Sequence, residues 1–333
     1  MISLRETAYG KLNLSLEVLG RRPDGYHELE MVMISVSLSD QLTLSLNTGS
    51  PWSVSCDRPG IPAGPENLCW RAAAAYCEAA GLDPGGLSIH IQKNIPAQAG
   101  MAGGSSDAAA VLRALNRHYG RFSPEALLKL GLGVGSDVPY CLFGGTALAR
   151  GRGEVLTRLP GLPGELYFVL AKPEFSVSTP ALFREIDEAR YGSAGAEQGS
   201  FAASLPAGGS LGGDGALPSA RSEQAAPEGA GRRGEQPSSP PRSPAAAMIE
   251  AITRADRNAI GAALHNDFEP LVAARFPIVE QLRRVMLSHE AEGARLTGTG
   301  SVVFGLFCSQ FKAAAAALEL REYCPEVHLV KAV

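Results

Sequence analysis

The stretch IPAQAGMAGGSSDAAAVLRALN, from Ile95 to Asn116, combines a glycine-containing loop with the start of an alanine-rich helix. Glycine has no Cβ, so backbone N–H groups beside it can come close to a ligand. The pair Ser105–Ser106 lies where a helix N-cap is expected, and Asp107 would then fall in the first turn, which the helix dipole favours. Such a loop at a helix N-terminus can bind an anion such as phosphate. The alternative is an ordinary loop capped by Ser105.

This loop differs from other well-known nucleotide loops. A Walker A loop has a lysine directly before its final serine or threonine, and Gly104 occupies that place here. No GxGxxG lies within a strand–helix–strand unit, and the HRD and DFG signatures of protein kinases are missing. A nucleotide site in this chain would therefore use another architecture.

The composition indicates a globular protein with room for two domains. The chain has 333 residues, 45% of them hydrophobic and 19% charged. A net charge of −4 provides no basic field, so we expect no nucleic-acid binding. No apolar run approaches the roughly 18 residues that cross a bilayer, and the N-terminus does not resemble a signal peptide. The six cysteines show no metal-ligand spacing and suit a reducing compartment. We therefore expect a cytoplasmic protein without a membrane partner.

Hydrophobic periodicity predicts a mixture of strands and helices. Strands are predicted over 6–19, 87–92 and 166–171, at the closing VHLVKAV, and over the runs MVMISVSL and QLTLSL, separated at Ser39-Asp40. Helices are predicted over 66–80, from the glycine loop to Tyr119, and over 123–130, 181–189, 276–289 and 311–323, with ordered helical spacing also resuming at Met248.

A segment of different composition interrupts the second half of the chain. From Gly192 to Ala247 it consists mainly of Gly, Ala, Ser and Pro, with Phe201 as its one aromatic residue. Such a segment cannot bury enough apolar surface to offset the entropy lost on ordering, so we predict disorder and expect its deletion to be tolerated. We expect one domain over residues 1–160 and a second over 161–333, interrupted by this insert at 192–247.

The motif PAQAGMAGGSSDAAA resembles the phosphate loop of the GHMP kinases, small-molecule kinases named for galactose, homoserine, mevalonate and phosphomevalonate. The segments AYGKLNLSLEVLGRRPDGYHEL, GSDVPYCLFGG and TGTGSVVFG are similar to motifs of one branch of that family, and the match extends from Ala8 to Phe307 outside the insert. The resemblance implies an α+β fold, with a ribosomal-S5-like N-terminal ATP-binding domain and a C-terminal α/β sandwich. It also implies ATP-dependent phosphorylation of the 2-hydroxyl of a cytidine diphosphate-linked methylerythritol, in non-mevalonate isoprenoid synthesis.

Lys11 and Asp137 are the expected catalytic residues. From the sequence alone, Lys11 could be an edge-strand lysine that reaches solvent, and Asp137 could be an Asx turn or a helix cap. The resemblance implies that Asp137 accepts the proton of the substrate hydroxyl as a general base, and that Lys11 keeps this carboxylate ionised and orients the hydroxyl. Full proton abstraction and mere orientation of the hydroxyl both stay open, because phosphoryl-transfer transition states are loose.

The resemblance also implies a nucleotide site with ATP and magnesium as cofactors. Mg²⁺ would be held mainly by nucleotide oxygens and water, with a hydroxyl from Ser105 or Ser106 as a further ligand. Lys93 could instead be a solvated lysine, and the third motif, with Gly298, Gly300 and Ser301, could be a plain strand-connecting turn. The expected ATP-binding residues are Lys93, Pro96, Ala97, Gln98, Ala99, Gly100, Met101, Ala102, Gly103, Gly104, Ser105 and Ser106.

Four further residues are expected to bind the second substrate. Tyr26 would stack on the cytosine ring, Phe183 would cover its other face, and His27 would bond the polar edge of the base. Asn13 lies two residues beyond Lys11, on the same side of a strand, and could bond the substrate. The alternative for Tyr26 is packing on the core beside His27.

Two other functions are compatible with these motifs. One is a GHMP kinase for another small alcohol, of the homoserine or mevalonate type, which would not need the proposed cytidine-reading residues. The other is a non-catalytic nucleotide-binding relative, against which the presence of Lys11 and Asp137 argues. The chain departs from the family pattern at Tyr9-Gly10, where an apolar pair is more usual, and in the length of the insert. The sequence leaves monomer and homodimer open.

Overall fold

A computed structural model describes residues 2–192 and 242–333 of the chain. The first part contains β1 (Ile2–Arg21), β2 (His27–Leu46), β3 (Ser53–Cys56), α1 (Leu68–Ala80), β4 (Leu87–Gln92), α2 (Gly103–Tyr119), α3 (Pro124–Val134), α4 (Val138–Phe143), β5 (Ala147–Gly151) and β6 (Val155–Arg158). These are followed by β7 (Tyr167–Lys172), α5 (Thr179–Tyr191), α6 (Pro244–Thr253), α7 (Arg257–Ala262), β8 (His265–Asn266), α8 (Glu269–Arg275), α9 (Ile278–Ser288), β9 (Gly293–Leu296), β10 (Val303–Phe307), α10 (Gln310–Leu320) and β11 (Glu326–Lys331).

A long antiparallel hairpin of β1 and β2 is the centre of the first sheet. The strands pair from Ile2↔Leu46 to Arg21↔His27, and the sheet order is β3-β4-β2-β1-β8 with β5 and β6 attached to β2. The predicted turn between β1 and β2 is present: the Tyr26 amide donates to Asp24 Oδ1 at 3.1 Å, and Gly25 takes a left-handed φ of 83°. This turn places Tyr26 and His27 at one end of the sheet.

The predicted break of β2 at Ser39-Asp40 is wrong, because β2 runs without interruption from His27 to Leu46. Asp40 is fully buried within this strand. Its Oδ1 accepts hydrogen bonds from the amides of Asn94 at 2.6 Å and Ile95 at 2.8 Å. The carboxylate therefore anchors the start of the glycine loop and does not make a turn of its own.

The second sheet is antiparallel throughout, in the order β11-β7-β10-β9, and α9 and α10 pack against it. Its apolar residues Phe168 and Phe304 belong to the same buried cluster as Leu12 and Ile34 of the hairpin. The parallel bridge Ser15↔His265 joins β8 to β1. The expected α+β class, with a helix-backed antiparallel sheet in the C-terminal part, is confirmed.

The end of the predicted insert differs from expectation. Helix α6 begins at Pro244, whereas helical order was predicted to resume at Met248. Ser243 is its N-cap, with Oγ accepting from the Ala246 amide at 3.2 Å, and proline suits the first helical position. The predicted disorder over residues 193–241 lies outside the described residues. Within the described residues, no helix combines the length and apolar character that a bilayer span requires.

Candidate active site

The glycine loop before α2 takes a strongly curved path. Gln98, Gly100 and Ala102 all have left-handed φ angles, of 51°, 73° and 55°. Helix α2 begins at Gly103 with Ala102 as its N-cap, and no side chain caps it. The expected cap by the serine pair is therefore wrong, as is the placing of Asp107 in the first turn, where the structure has no acidic residue. Without a side-chain cap, the first backbone N–H groups of the helix are left for a ligand.

The third motif packs directly on this loop. A Cβ added at Gly100 would lie 2.2 Å from the Thr297 carbonyl oxygen, so only glycine fits this close approach. The Val302 amide donates to the Ala99 carbonyl at 3.3 Å, and the Lys11 amide donates to the Met101 carbonyl at 3.2 Å. The turn 297–301 is thus part of the wall of the site.

Ser105 and Ser106 have different surroundings. Ser106 is 1% exposed and its hydroxyl donates to the Tyr9 carbonyl, away from the loop. Ser105 lines a cavity of about 320 Å³ together with Pro96, Gln98, Gly100 and the helix start. The structure thus places only one of these two hydroxyls at the cavity of the loop.

Lys93 is buried and paired, which the sequence did not reveal. Its ammonium bonds Asp40 and also Asp107 Oδ2, the latter at 2.7 Å. Burial lowers the pKa of Lys93, but the two carboxylates more than offset this effect and leave the pKa above its usual value. Burial, with a contribution from Asp40, raises the pKa of Asp107 to about 7 against the opposing effect of Lys93. Asp107 Oδ1 has no hydrogen-bond partner among the described groups.

A central cavity of about 530 Å³ contains the two expected catalytic residues. Lys11 is 5% exposed, and its Nζ donates to Asn13 Oδ1 at 2.5 Å. Burial lowers the pKa of Lys11, while the charge of Asp137 acts in the opposite direction. Asp137 precedes α4 as its N-cap residue but makes no side-chain cap, so its carboxylate is free for the cavity. No ion pair within 4.0 Å joins Lys11 to Asp137 among the described residues.

An aromatic cavity of about 640 Å³ lies beside the central one and contains Tyr26, His27 and Phe183. The rings of His27 and Phe183 stack with centroids 4.4 Å apart, and His27 Nε2 lies 2.9 Å from Asp187 Oδ1. Tyr26 is 50% exposed, so it does not pack in the core. The guanidinium carbon of Arg152 lies 4.1 Å from the centre of the Tyr26 ring.

The three cavities are adjacent. Gln98, Gly100 and Ala102 line both the loop cavity and the central cavity. The central and aromatic cavities share a second set of lining residues, namely Leu29, Asp137, Arg152, Thr179 and Phe183. Asp137 therefore lies between the glycine loop and the aromatic residues.

Sequence reasoning missed several residues of this site. Asp187 lies in a helix whose periodicity gave no sign of a polar contact to His27, and the Thr179 and Thr299 hydroxyls, 2.8 Å apart, meet across 120 residues of chain. Arg152 could have been noticed in the sequence, because it stands between two glycines. Both of these glycines take left-handed φ angles in the structure. Such a loop presents its side chain at the surface.

Comparisons with family profiles, related sequences and solved structures all relate this chain to GHMP kinases. The profile described as GHMP kinases N terminal domain matches residues 67–145, and that described as GHMP kinases C terminal matches residues 248–326. A 4-diphosphocytidyl-2-C-methyl-D-erythritol kinase of Alkaliphilus metalliredigens is 34% identical over 96% of this chain and 94% of its own. That of Moorella thermoacetica is 38% identical over 96% of this chain and 95% of its own. A crystal structure of 4-(cytidine 5'-diphospho)-2C-methyl-D-erythritol kinase superposes with a TM-score of 0.67, at 29% identity over 99% of both chains.

Proposed function

The chain belongs to the 4-diphosphocytidyl-2-C-methyl-D-erythritol kinases within the GHMP kinases, and from this membership we propose the reaction that it catalyses. It transfers the γ-phosphate of ATP to the 2-hydroxyl of 4-diphosphocytidyl-2-C-methyl-D-erythritol, giving the 2-phosphate and ADP. This is a step of the non-mevalonate isoprenoid pathway.

One observation carries this proposal: Asp137 lies in the cavity between the glycine loop and the aromatic residues. A kinase has to hold its phosphoryl donor and its acceptor hydroxyl in line, because positioning and charge stabilisation provide most of the catalysis. With ATP phosphates on the loop and a cytosine ring beside Tyr26, the connecting methylerythritol falls in the central cavity. Its 2-hydroxyl then comes within reach of Asp137.

Lys11 and Asp137 have distinct roles in this proposal. Asp137 accepts the hydrogen bond of the 2-hydroxyl and takes its proton as the phosphoryl group is transferred. Lys11 is held by Asn13 at 2.5 Å and lies in the same cavity without direct contact to the carboxylate. Its positive charge attracts the hydroxyl oxygen and orients the hydroxyl between the two side chains.

The nucleotide is bound by the loop and the start of α2. Uncapped N–H groups at the helix start and the left-handed residues of the loop suit phosphate oxygens. Lys93 lines the loop cavity together with Asp107, and its ammonium bonds Asp40 and Asp107, so it holds these carboxylates in place beside the nucleotide. The loop residues 96–105 provide the remaining contacts to ATP.

Magnesium fits this site only as an ion that ATP brings with it. The described residues contain no group of three or more His, Cys, Asp or Glu side chains that could hold a metal. The hydroxyl of Ser105 is a hard oxygen donor at the loop cavity and would provide one ligand, with phosphate oxygens and water as the others. Bound Mg²⁺ would supply neutralisation of the β- and γ-phosphate charge.

The aromatic cavity binds the cytosine base. Tyr26 is 50% exposed and has the Arg152 guanidinium over its ring, so the cytosine stacks on the opposite ring face. Phe183 closes the cavity behind His27. If the neutral His27 ring donates from Nε2 to Asp187, its Nδ1 is an acceptor that suits the exocyclic amino group of cytosine. Asn13 has its Oδ1 bonded to Lys11, so it contributes to substrate binding mainly by fixing that ammonium.

The remaining assignments concern the chain as a whole. We propose that residues 1–160 and 161–333 are the two domains, with the cavities between them. The six cysteines are free thiols and the reaction consumes ATP, which together support a cytoplasmic location. The partner proposed for this site is the small-molecule substrate, without a nucleic acid or a membrane, in a monomer or a homodimer.

A panel of acceptors tests this function. Purified protein with ATP and Mg²⁺ is given 4-diphosphocytidyl-2-C-methyl-D-erythritol, homoserine or mevalonate, and ADP formation is followed. We expect turnover with the cytidine-linked alcohol alone. Preference for either other alcohol would replace the proposed substrate, and tight ATP binding with no turnover of any acceptor would support a non-catalytic relative.

A further inference from the structure

The central and aromatic cavities meet at a junction, and one cationic side chain lines both of them. Arg152 lines both cavities, and the other residues that do so are Leu29, Asp137, Thr179 and Phe183. We propose that Arg152 binds the diphosphate of the cytidine-linked substrate and so sets the position of its acceptor hydroxyl. This inference rests on the proposed function and assigns a specificity role to a residue outside the catalytic pair.

The guanidinium of Arg152 forms no ion pair or side-chain hydrogen bond with a carboxylate within the described residues, although its charge acts on the nearby Asp24. The hydrogen bond from this residue is donated by its backbone amide to Glu154 Oε2 at 2.6 Å. The guanidinium carbon lies over the Tyr26 ring, 4.1 Å from its centre. A guanidinium that contacts an aromatic ring still has N–H groups in its own plane, and these can bond phosphate oxygens in a bidentate manner.

The position of Arg152 matches the chemistry of the substrate. A diphosphate connects the nucleoside to the alcohol, so it has to cross the junction when the base lies beside Tyr26 and the hydroxyl beside Asp137. The carboxylate of Asp137 lines that junction and repels a phosphate group. A cation at the same place offsets this repulsion, and Arg152 is the cation among the described residues that line both cavities.

Among the described residues, three other cations line one of the two cavities, and none of them lines both; Arg21 lines the aromatic cavity alone. Lys11 is buried, donates to Asn13 and lines the central cavity without reaching the aromatic one. Arg184 is exposed and lines the aromatic cavity without reaching the central one.

The loop around Arg152 holds the side chain in place. Gly151 and Gly153 take φ angles of 73° and 111°, which side chains rarely adopt, so the turn depends on both glycines. The turn joins β5 to β6, two paired strands of the first sheet. The arginine is therefore presented from a tight hairpin and not from a long loop.

An alternative is that Arg152 only supports the Tyr26 ring. Competition experiments on the active enzyme separate the two roles. The inhibition constants of cytidine and of cytidine diphosphate, each competing with the cytidine-linked alcohol at saturating ATP, are measured for the wild type, Arg152→Gln and Arg152→Lys. A residue that supports the ring affects both inhibitors equally, whereas a diphosphate ligand affects only the one that carries phosphate.

We expect Arg152→Gln to raise the inhibition constant of cytidine diphosphate by about 10- to 100-fold, the range for a lost charge-assisted hydrogen bond, and to leave that of cytidine nearly unchanged. Arg152→Lys should recover part of the loss, because it keeps the charge without the planar fork. The KM of the cytidine-linked alcohol should rise in the same variants in which the inhibition constant of cytidine diphosphate rises.

Two outcomes would overturn the inference. One is an equal change for both inhibitors in Arg152→Gln, and the other is no change for either. Both are read on enzyme whose wild type turns over the cytidine-linked alcohol, so they leave the proposed function standing. Failure of the wild type to turn over that alcohol would instead remove the proposed function, before any variant is compared.

Discussion

The ammonium of Lys11 lies 2.5 Å from Asn13 Oδ1, and this contact fixes a buried cation in the cavity that also contains Asp137. The backbone of Asn13 is itself anchored, because its amide donates to Thr297 Oγ1 at 3.0 Å. The β1–β2 hairpin and the turn 297–301 therefore both contribute to holding the Lys11 ammonium in place. Fixed charges that need no rearrangement during the reaction are the most effective ones in catalysis.

Replacing Asp137 by Asn tests the general base. The amide keeps the size of the side chain but cannot accept the hydroxyl proton, so we expect kcat to fall by about 10²- to 10⁴-fold with binding of both substrates nearly intact. Steady-state kinetics and calorimetric titration of each substrate provide the two measurements. Turnover close to that of the wild type would show that Asp137 is not the base.

Replacing Tyr26 by Ala tests base stacking. Loss of the ring should raise the KM of the cytidine-linked alcohol by about 5- to 150-fold, corresponding to about 1–3 kcal/mol, with the KM of ATP unchanged. Tyr26→Phe keeps the ring face and is the matched control, with an expected KM close to that of the wild type. If Tyr26→Ala leaves this KM unchanged, the base does not bind on that ring.

Replacing Gly100 by Ala tests the packing of the loop on the third motif. The new Cβ would lie 2.2 Å from the Thr297 carbonyl oxygen, at a φ of 73°, so we expect a loss of about 2 kcal/mol or more in the free energy of unfolding and weaker ATP binding. The control is Gly133→Ala, at an open position in α3, which should be stabilising by about 0.5–1 kcal/mol. Urea unfolding measures both, and equal stability of the two variants would refute this packing.

The Asp107 network predicts a pH dependence of stability. Burial raises the pKa of Asp107 to about 7 from its ordinary value near 3.8, so the folded chain binds this proton more tightly than the unfolded chain. Stability from this group is therefore greatest below pH 4 and is lost as pH rises towards 7, by about 1.4 kcal/mol for each unit of pKa difference.

The variant Asp107→Asn should show a smaller loss of stability between pH 4 and 7 than the wild type. Urea unfolding at several pH values measures the difference between the two proteins, which removes the contribution of titrating groups that do not interact with Asp107. Glu78→Gln, an exposed change in α1, is the control and should keep the wild-type slope. Parallel curves for Asp107→Asn and the wild type would contradict the raised pKa.

Local sequence signals predicted much of the fold. Alternation predicted β4, the apolar run LYFVLA predicted β7, helical spacing predicted α1, and Ser123 caps α3 as its sequence indicated. The Pro-Asp-Gly turn before Tyr26 is a local signal as well. Each of these elements depends on residues that are close together in the chain, so its own short segment of sequence is enough to predict it.

The errors came from contacts between distant segments. Asp40 looked like a turn residue, but it continues β2 because its carboxylate bonds the amides of Asn94 and Ile95. The Lys93 network and the junction at Arg152 also join residues that are far apart in the chain. The N-cap residue of α2 is Ala102, whose side chain cannot cap a helix, instead of one of the two serines. The N–H groups of this helix start are therefore left for a ligand.

The central claim is that this chain phosphorylates the 2-hydroxyl of a cytidine diphosphate-linked alcohol. The most direct measurement incubates the wild-type protein with ATP, Mg²⁺ and 4-diphosphocytidyl-2-C-methyl-D-erythritol and identifies the product by ³¹P NMR. We predict a new phosphomonoester on the 2-oxygen, formed in equal amount to ADP and absent with Asp137→Asn. Formation of ADP without this phosphomonoester, or its equal formation by Asp137→Asn, would contradict the account.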